Sequence, residues 1–228
     1  MKRSEINSYL RWAVELLDKY QIKLPRFAYW SMDEWEANKD KIDTLRTVMA
    51  GWDITDFGSN DFDHTGAVLY TVRNGHLQHP GVGSPYAEKY LLFKDGQYLP
   101  NHYHVSKTED IINRGGGVMA MRFYNRLPDG TVDYESDVTY SSDGIFYTVK
   151  AGEEVLITPG NSVRITPYLY HLFGAKEGYG PLIAGEVSAV NDDKTDNYFA
   201  TPVSRFADIE EDEPVLYPLC NEYAILDK

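Results

Sequence analysis

Two of the six histidines stand two apart in Asn101-His-Tyr-His-Val-Ser-Lys-Thr-Glu-Asp110, and a glutamate follows the second by five residues. On a β-strand successive side chains alternate faces, so His102 and His104 point the same way and Tyr103 points the other way. Two imidazoles on one face can reach one ion. Glu109 falls past the expected strand end, where a turn can bring its carboxylate back to the same ion. A His-His-carboxylate set suits manganese, iron, cobalt, nickel or zinc, and the hard oxygen ligand leaves room for manganese. The bland alternative is a pair of strand histidines beside a solvated acid.

The flanking residues favour the metal. From Gly96 to Gly116 the chain reads G-x5-H-x-H-x4-E-x6-G, which resembles the first signature of the cupin family. The segment Gly160-Asn-Ser-Val-Arg-Ile-Thr-Pro-Tyr-Leu-Tyr-His171 resembles the second. Its Gly160 to His171 separation is the family's, whereas the proline stands one place late at Pro167, the inner glycine is missing, and position 175 is Ala rather than Asn. The resemblance implies a four-ligand site of His102, His104, Glu109 and His171. It also implies a mainly β fold, an antiparallel double-stranded β-helix or jelly roll closed into a cupin β-barrel.

A cupin barrel hosts many chemistries, so the reaction has to be read from other polar residues. Lys89 and Lys107 lie near the first motif, and Glu186 sits among Leu182, Ile183, Ala184 and Val187 in an apolar strand. An acid on an inward face needs a partner or a task; the competing reading turns Glu186 to solvent. Five stretches together resemble the D-lyxose isomerase family: Phe27-Ala-Tyr-Trp30, Trp52-Asp-Ile-Thr-Asp-Phe-Gly58, Glu88-Lys-Tyr-Leu-Leu-Phe93, Lys107-Thr-Glu-Asp-Ile-Ile-Asn-Arg-Gly-Gly-Gly117 and Gly185-Glu-Val-Ser-Ala-Val-Asn-Asp-Asp193. These span nearly the whole chain.

That resemblance implies a metal-dependent aldose–ketose isomerase converting D-lyxose to D-xylulose, with D-mannose to D-fructose as a related activity. Manganese is the implied divalent metal, with cobalt, iron or zinc as alternatives, and a homodimer the implied assembly. Moving a proton between C2 and C1 through a cis-enediol needs a base near both carbons and an electrophile for the adjacent oxygens. Glu186 is the first candidate base, with Lys107 or Lys89 as complementary acid or hydroxyl anchor. Asp193 and Arg205 are candidates for sugar hydroxyl contacts. Two rivals remain open, a non-haem dioxygenase on the same ligands and a carbohydrate-binding cupin without chemistry.

These residues need a scaffold. Apolar side chains at Ile6, Leu10, Ala13, Val14 and Leu17 predict a helix over residues 4–20 with Ser4 as N-cap, and Ser31-Met-Asp-Glu-Trp-Glu predicts a second capped helical turn. Residues 1–50 read as a helical arm packed on the barrel of residues 51–228, one structural domain overall. From residue 50 onward short apolar or alternating runs, such as 67–72, 89–93, 117–124, 145–149 and 182–188, read as strands. The Asn74-Gly75 and Asp129-Gly130 dipeptides predict hairpin turns. The acidic segment 208–213 reads as a solvated turn, and His64, His76 and His79 as surface residues.

Composition narrows the partners. A net charge of −13 argues against nucleic acid, whose recognition depends on Lys/Arg contacts to phosphate. No basic cluster suggests a phosphate cradle, which argues against a sugar phosphate; the partner the resemblance implies is a small-molecule monosaccharide. Cys220 is the lone cysteine and no run approaches a membrane span, which together predict no membrane partner and a cytoplasmic location.

Overall fold

In the computed structural model, which describes residues 1–192, 195–205 and 208–227, three helices precede the first strand: α1 (Arg3–Lys19), α2 (Met32–Asn38) and α3 (Asp43–Val48). Strands then run β1 (Gly51–Thr55), β2 (Ala67–Gly75), β3 (Gly83–Phe93), β4 (His102–His104), β5 (Glu109–Gly116), β6 (Met119–Arg126) and β7 (Val132–Asp133). They continue as β8 (Val138–Ser142), β9 (Ile145–Val149), β10 (Val155–Ile157), β11 (Ser162–Ile165), β12 (Tyr170–Ala175), β13 (Leu182–Ser188) and β14 (Asn197–Phe199). One sheet is ordered β1-β2-β3-β13-β5-β11-β8-β9, and the other β10-β6-β12-β4-β14 with β7 beside β6. The described ladders pair antiparallel, and the two sheets face each other across a core of Leu91, Phe93, Ile111, Phe123, Phe173 and their neighbours. The protein is mainly β, a cupin-like barrel with a helical N-terminus.

The larger sheet is covered on both faces. Along β2 and β3, Leu69, Leu91 and Phe93 turn into the barrel, while Val68, Tyr70 and Leu92 turn out against Ile6, Leu10 and Leu17 of α1. Strand β13 repeats this with Leu182 and Ala184 inward and Ile183 outward. A sheet buried on both sides reads as continuous apolar runs rather than alternation. Polar residues in such strands therefore stand out: Glu186 shares the inward face of Leu182 and Ala184 and is buried, so the solvent-facing alternative is ruled out. After Phe199 the chain leaves the barrel and returns to the helices, where Leu219, Cys220, Tyr223 and Leu226 join their apolar clusters.

Several local expectations change. Helix α1 starts at Arg3, not after Ser4, and the Lys2 N–H donates to Glu5 Oε2 at 2.8 Å. Ser4 instead donates its N–H and hydroxyl to Asp212 at 2.9 and 2.8 Å. The acidic segment is thus no plain solvated turn. Asp212 caps the helix start, Glu211 and Glu222 flank the buried Arg3, and Glu213 takes the Asn7 amide at 2.8 Å. Carboxylates gather there because a helix N-terminus and a buried guanidinium both favour negative charge.

Asn74-Gly75 makes no hairpin turn either. The strand runs through it to Gly75, because the Asn74 side chain donates to Val48 and Asn191 carbonyls and accepts from the Asn191 N–H at 2.9 Å. Asp129-Gly130 does close a turn, with the Gly130 N–H on the Leu127 carbonyl at 2.9 Å. Ser31 caps α2 as expected, accepting from the Glu34 N–H at 3.2 Å.

Candidate metal centre and active site

His102 and His104 both lie on β4 and turn inward, while Tyr103 turns outward and packs on Tyr198 and Tyr170. Strand β12 pairs antiparallel with β4 so that His171 stands directly opposite His102. The ligand nitrogens of His102, His104 and His171 lie within 4.8 Å of one another, all three buried. The chain turns back after β4, and Glu109 opens β5 with its carboxylate in the same space. Glu109 Oε1 lies 3.2 Å from His104 Nε2 and 3.3 Å from His171 Nε2.

Backbone carbonyls orient the imidazoles. His102 Nδ1 donates to the Pro100 carbonyl at 2.8 Å and His171 Nδ1 to the Leu169 carbonyl at 3.0 Å, each two residues back along its own strand. His104 Nδ1 donates across to the Asp196 carbonyl at 3.3 Å. A carbonyl only accepts, so the Nδ1 of His102 and of His171 carries the proton and their Nε2 keeps its lone pair for the centre, while His104 also sets Nε2 against the Glu109 carboxylate. His171 Nε2 is buried without a hydrogen bond, a costly state for a polar atom unless an ion takes the lone pair. Burial, then the neighbouring imidazoles, pushes His102 well below the ordinary histidine range, which keeps it neutral. Burial alone would raise the Glu109 carboxyl; Lys107 and then His104 outweigh it and hold the group well below the usual carboxylate range. The donor set fits a divalent metal.

The glycines of the first motif have a conformational reason, since Gly96 and Gly116 adopt φ of 76° and 86°. In the second motif the inner glycine position is Tyr168, whose φ is also left-handed at 66°. The turn keeps its shape without the glycine because the Tyr168 N–H is held on the His104 carbonyl at 2.7 Å. Altered spelling has therefore not displaced His171.

Beside the histidines lies a charged cluster of the same cavity. Glu186 pairs across the ladder with Lys89 on one side and Ile111 on the other. Lys107 Nζ sits 3.0 Å from Glu186 Oε1, 2.8 Å from Glu109 Oε2 and 3.1 Å from Asn191 Oδ1. Ser188 Oγ donates to Glu186 Oε1 at 3.0 Å, and Lys89 Nζ approaches the same oxygen at 3.7 Å. Two lysines thus offset two buried glutamates, which is the condition for keeping four charges out of water. Phe57, Leu91, Leu99, Phe173 and Phe199 line the rest of the cavity. Leu69, Lys89 and Arg205 also border an adjoining space lined by Asp53, Asn74, His76 and Asn191. Arg205 binds Asp53 at 2.5 Å where the two spaces meet. The candidate contact Asp193 lies outside the described residues.

Sequence reasoning missed Asp53, Ser188, Asn191, Asp196 and Phe199. Asp53 had a signal in the alternation Trp52-Asp-Ile-Thr55, whose polar face turns into the barrel rather than to water. Asp196, within an acidic loop, had none.

Barrel and interior together define a cupin-type protein whose buried histidines could hold a divalent metal. A family model for D-lyxose isomerase matches residues 1–223. A D-lyxose/D-mannose isomerase of Serratia proteamaculans is 40% identical over 225 residues, 98% of each chain, and one of Escherichia coli O157:H7 is 40% identical over 228 residues, again 98% of each. The chain belongs to the D-lyxose isomerase family, and it is a sugar isomerase. Its fold also resembles the L-ribose isomerase of Acinetobacter sp. DL28 in complex with L-ribose, with a TM-score of 0.58 at 14% identity over 92% of this chain and 98% of that one. The Geodermatophilus obscurus L-ribose isomerase gives 0.57 at 15% identity over the same shares. No helix of the described residues is long and apolar enough to cross a membrane.

Proposed function

We propose that the chain interconverts D-lyxose and D-xylulose, and D-mannose and D-fructose, in the cavity between His102 and Lys89. One observation carries this reading: Lys107 bridges Glu186 to Glu109 immediately beside the histidines, so a base, an acid and a metal-ligating set share one water-poor space. The names of the 40%-identical relatives support the choice of sugars. His102, His104, Glu109 and His171 would hold manganese, with cobalt, iron or zinc as substitutes. The bound ion would supply Lewis acidity, stabilising negative charge on the sugar's C1 and C2 oxygens.

The chain's own groups then divide the proton work. Glu186, held from behind by Ser188, takes the C2 proton of the open-chain aldose and returns it at C1. Lys107 gives a proton to O1 as the cis-enediol forms and takes the O2 hydroxyl proton as the ketose carbonyl forms, while Lys89 steadies the Glu186 carboxylate or a substrate hydroxyl. Apolar walls keep the proton from exchanging freely with water. Arg205, which borders the cavity beside Asp53, would meet hydroxyls of the sugar, and Asp193 is a candidate for the same role. A panel of aldoses offered anaerobically to the manganese-loaded protein should yield ketose from D-lyxose and D-mannose. No ketose from either, with folding and metal content intact, would reject the assignment, and a requirement for oxygen would point to a dioxygenase.

A homodimer is proposed as the working form. Strand β9 is an edge strand that exposes Ile145 and Phe146, 57% and 75% accessible, with no charge along Ile145–Val149. Such edges are commonly paired or covered. Sedimentation should show twice the chain mass, with Phe146→Asp shifting it to monomer; a monomeric wild-type protein at micromolar concentration would dismiss the pairing.

A further inference from the structure

We infer that Asp196 is a positioning residue of the isomerase, setting Lys107 against Glu186 through the turn that follows β4. The inference rests on the proposed role of Lys107. Asp196 is buried in the segment joining β13 to β14 and, among the described residues, its hydrogen-bond partners include no lysine or arginine side chain. Its Oδ1 accepts from the Val105 and Ser106 N–H groups at 3.1 and 2.9 Å and from Ser106 Oγ at 2.9 Å. Its Oδ2 accepts from the Lys107 N–H at 3.0 Å. Three consecutive amides are thus gathered onto one carboxylate, an arrangement that holds a tight turn by charge-assisted hydrogen bonds.

The consequence falls on the lysine. An ammonium has three protons to give, and Lys107 Nζ finds Glu109, Glu186 and Asn191 within 3.1 Å, so its direction is set when its backbone is set. Residues 105–107 have left the β4 ladder and precede β5, so neither strand fixes them. Asp196 does so instead. Its own carbonyl takes the His104 Nδ1 proton, so the lysine turn and one imidazole are referred to the same residue. Asparagine cannot reproduce this, because its amide would set a donor against the Lys107 N–H.

Asp196→Asn is therefore expected to lower kcat about 10–100-fold, the range for residues that orient a functional group, while KM changes less than about threefold. Metal content should hold, since the backbone carbonyl on His104 is unchanged, and amide hydrogen exchange should accelerate in residues 105–107. In a Lys107→Met background the same substitution should cost no further kcat, because there is no amine left to place. Equal losses in both backgrounds, or an unchanged kcat, overturn the inference. Should Asp196→Asn fail to fold, Ser106→Ala removes one donor from an exposed side chain and should give the same background-dependent loss, about 2–5-fold; equal losses in both backgrounds again overturn it. Full turnover by Lys107→Met would instead overturn the reading of the lysine itself.

Discussion

Replacing Glu186 with Gln should reduce turnover of D-lyxose by about 10²–10⁴-fold, the usual worth of a positioned general base. The amide fills the same volume on β13 and can still accept from Lys107 and Ser188, which lie 3.0 Å from Oε1 in the native protein. What disappears is basicity. The substitution removes one of two carboxylates that offset Lys89 and Lys107, so metal content and thermal unfolding should be measured alongside the rate. Exchange of solvent deuterium into the sugar should fall in parallel, because it reports proton abstraction without completed turnover. A variant that stays folded, keeps its metal and retains more than about a tenth of wild-type kcat would take Glu186 out of the proton path.

Stripping the metal should abolish isomerisation, by at least about 100-fold, since polarisation of the sugar oxygens contributes several kcal/mol. Manganese should restore it, and cobalt, iron and zinc added separately should rank the ions. His171→Ala should lose activity equally but resist rescue. His171 is fully buried opposite His102, and its Nε2 has no hydrogen bond, so its removal leaves a vacancy that no neighbour fills. Ligand loss should weaken metal affinity by more than the roughly 10–100-fold typical of a residue that merely orients a ligand. Activity of the stripped protein undiminished by chelator would exclude a catalytic metal.

Much of the centre was legible along the chain. His102, His104 and Glu109 are close in sequence, and strand alternation alone puts the two imidazoles on one face. His171 came only through resemblance to a distant motif, and the structure brings it opposite His102 by register. Tyr168 shows why the altered motif still serves: a hydrogen bond to the His104 carbonyl holds the left-handed turn that glycine would otherwise supply. Local rules failed at Ser4 and at Asn74-Gly75 for a common reason. Both sets of polar groups are engaged by residues more than a hundred positions away, Asp212 and Asn191, and those bonds override the nearest-neighbour preference.

Residue types, spacing and charge were enough to read a β-rich chain with a helical start and a strand whose two histidines could ligate a metal, because those properties depend on neighbours a few positions apart. Closure of the sheets decided the rest. Whether Glu186 met solvent or the barrel interior depended on α1 covering the outer face of its sheet, which no window of sequence around position 186 contains. Lys107 acquired its place from Glu186 and Asn191, 79 and 84 residues onward, and from the carboxylate of Asp196. Contacts at that separation form only when distant strands share a sheet, so the tertiary structure alone could bring a lysine between two candidate ligands into a candidate active site.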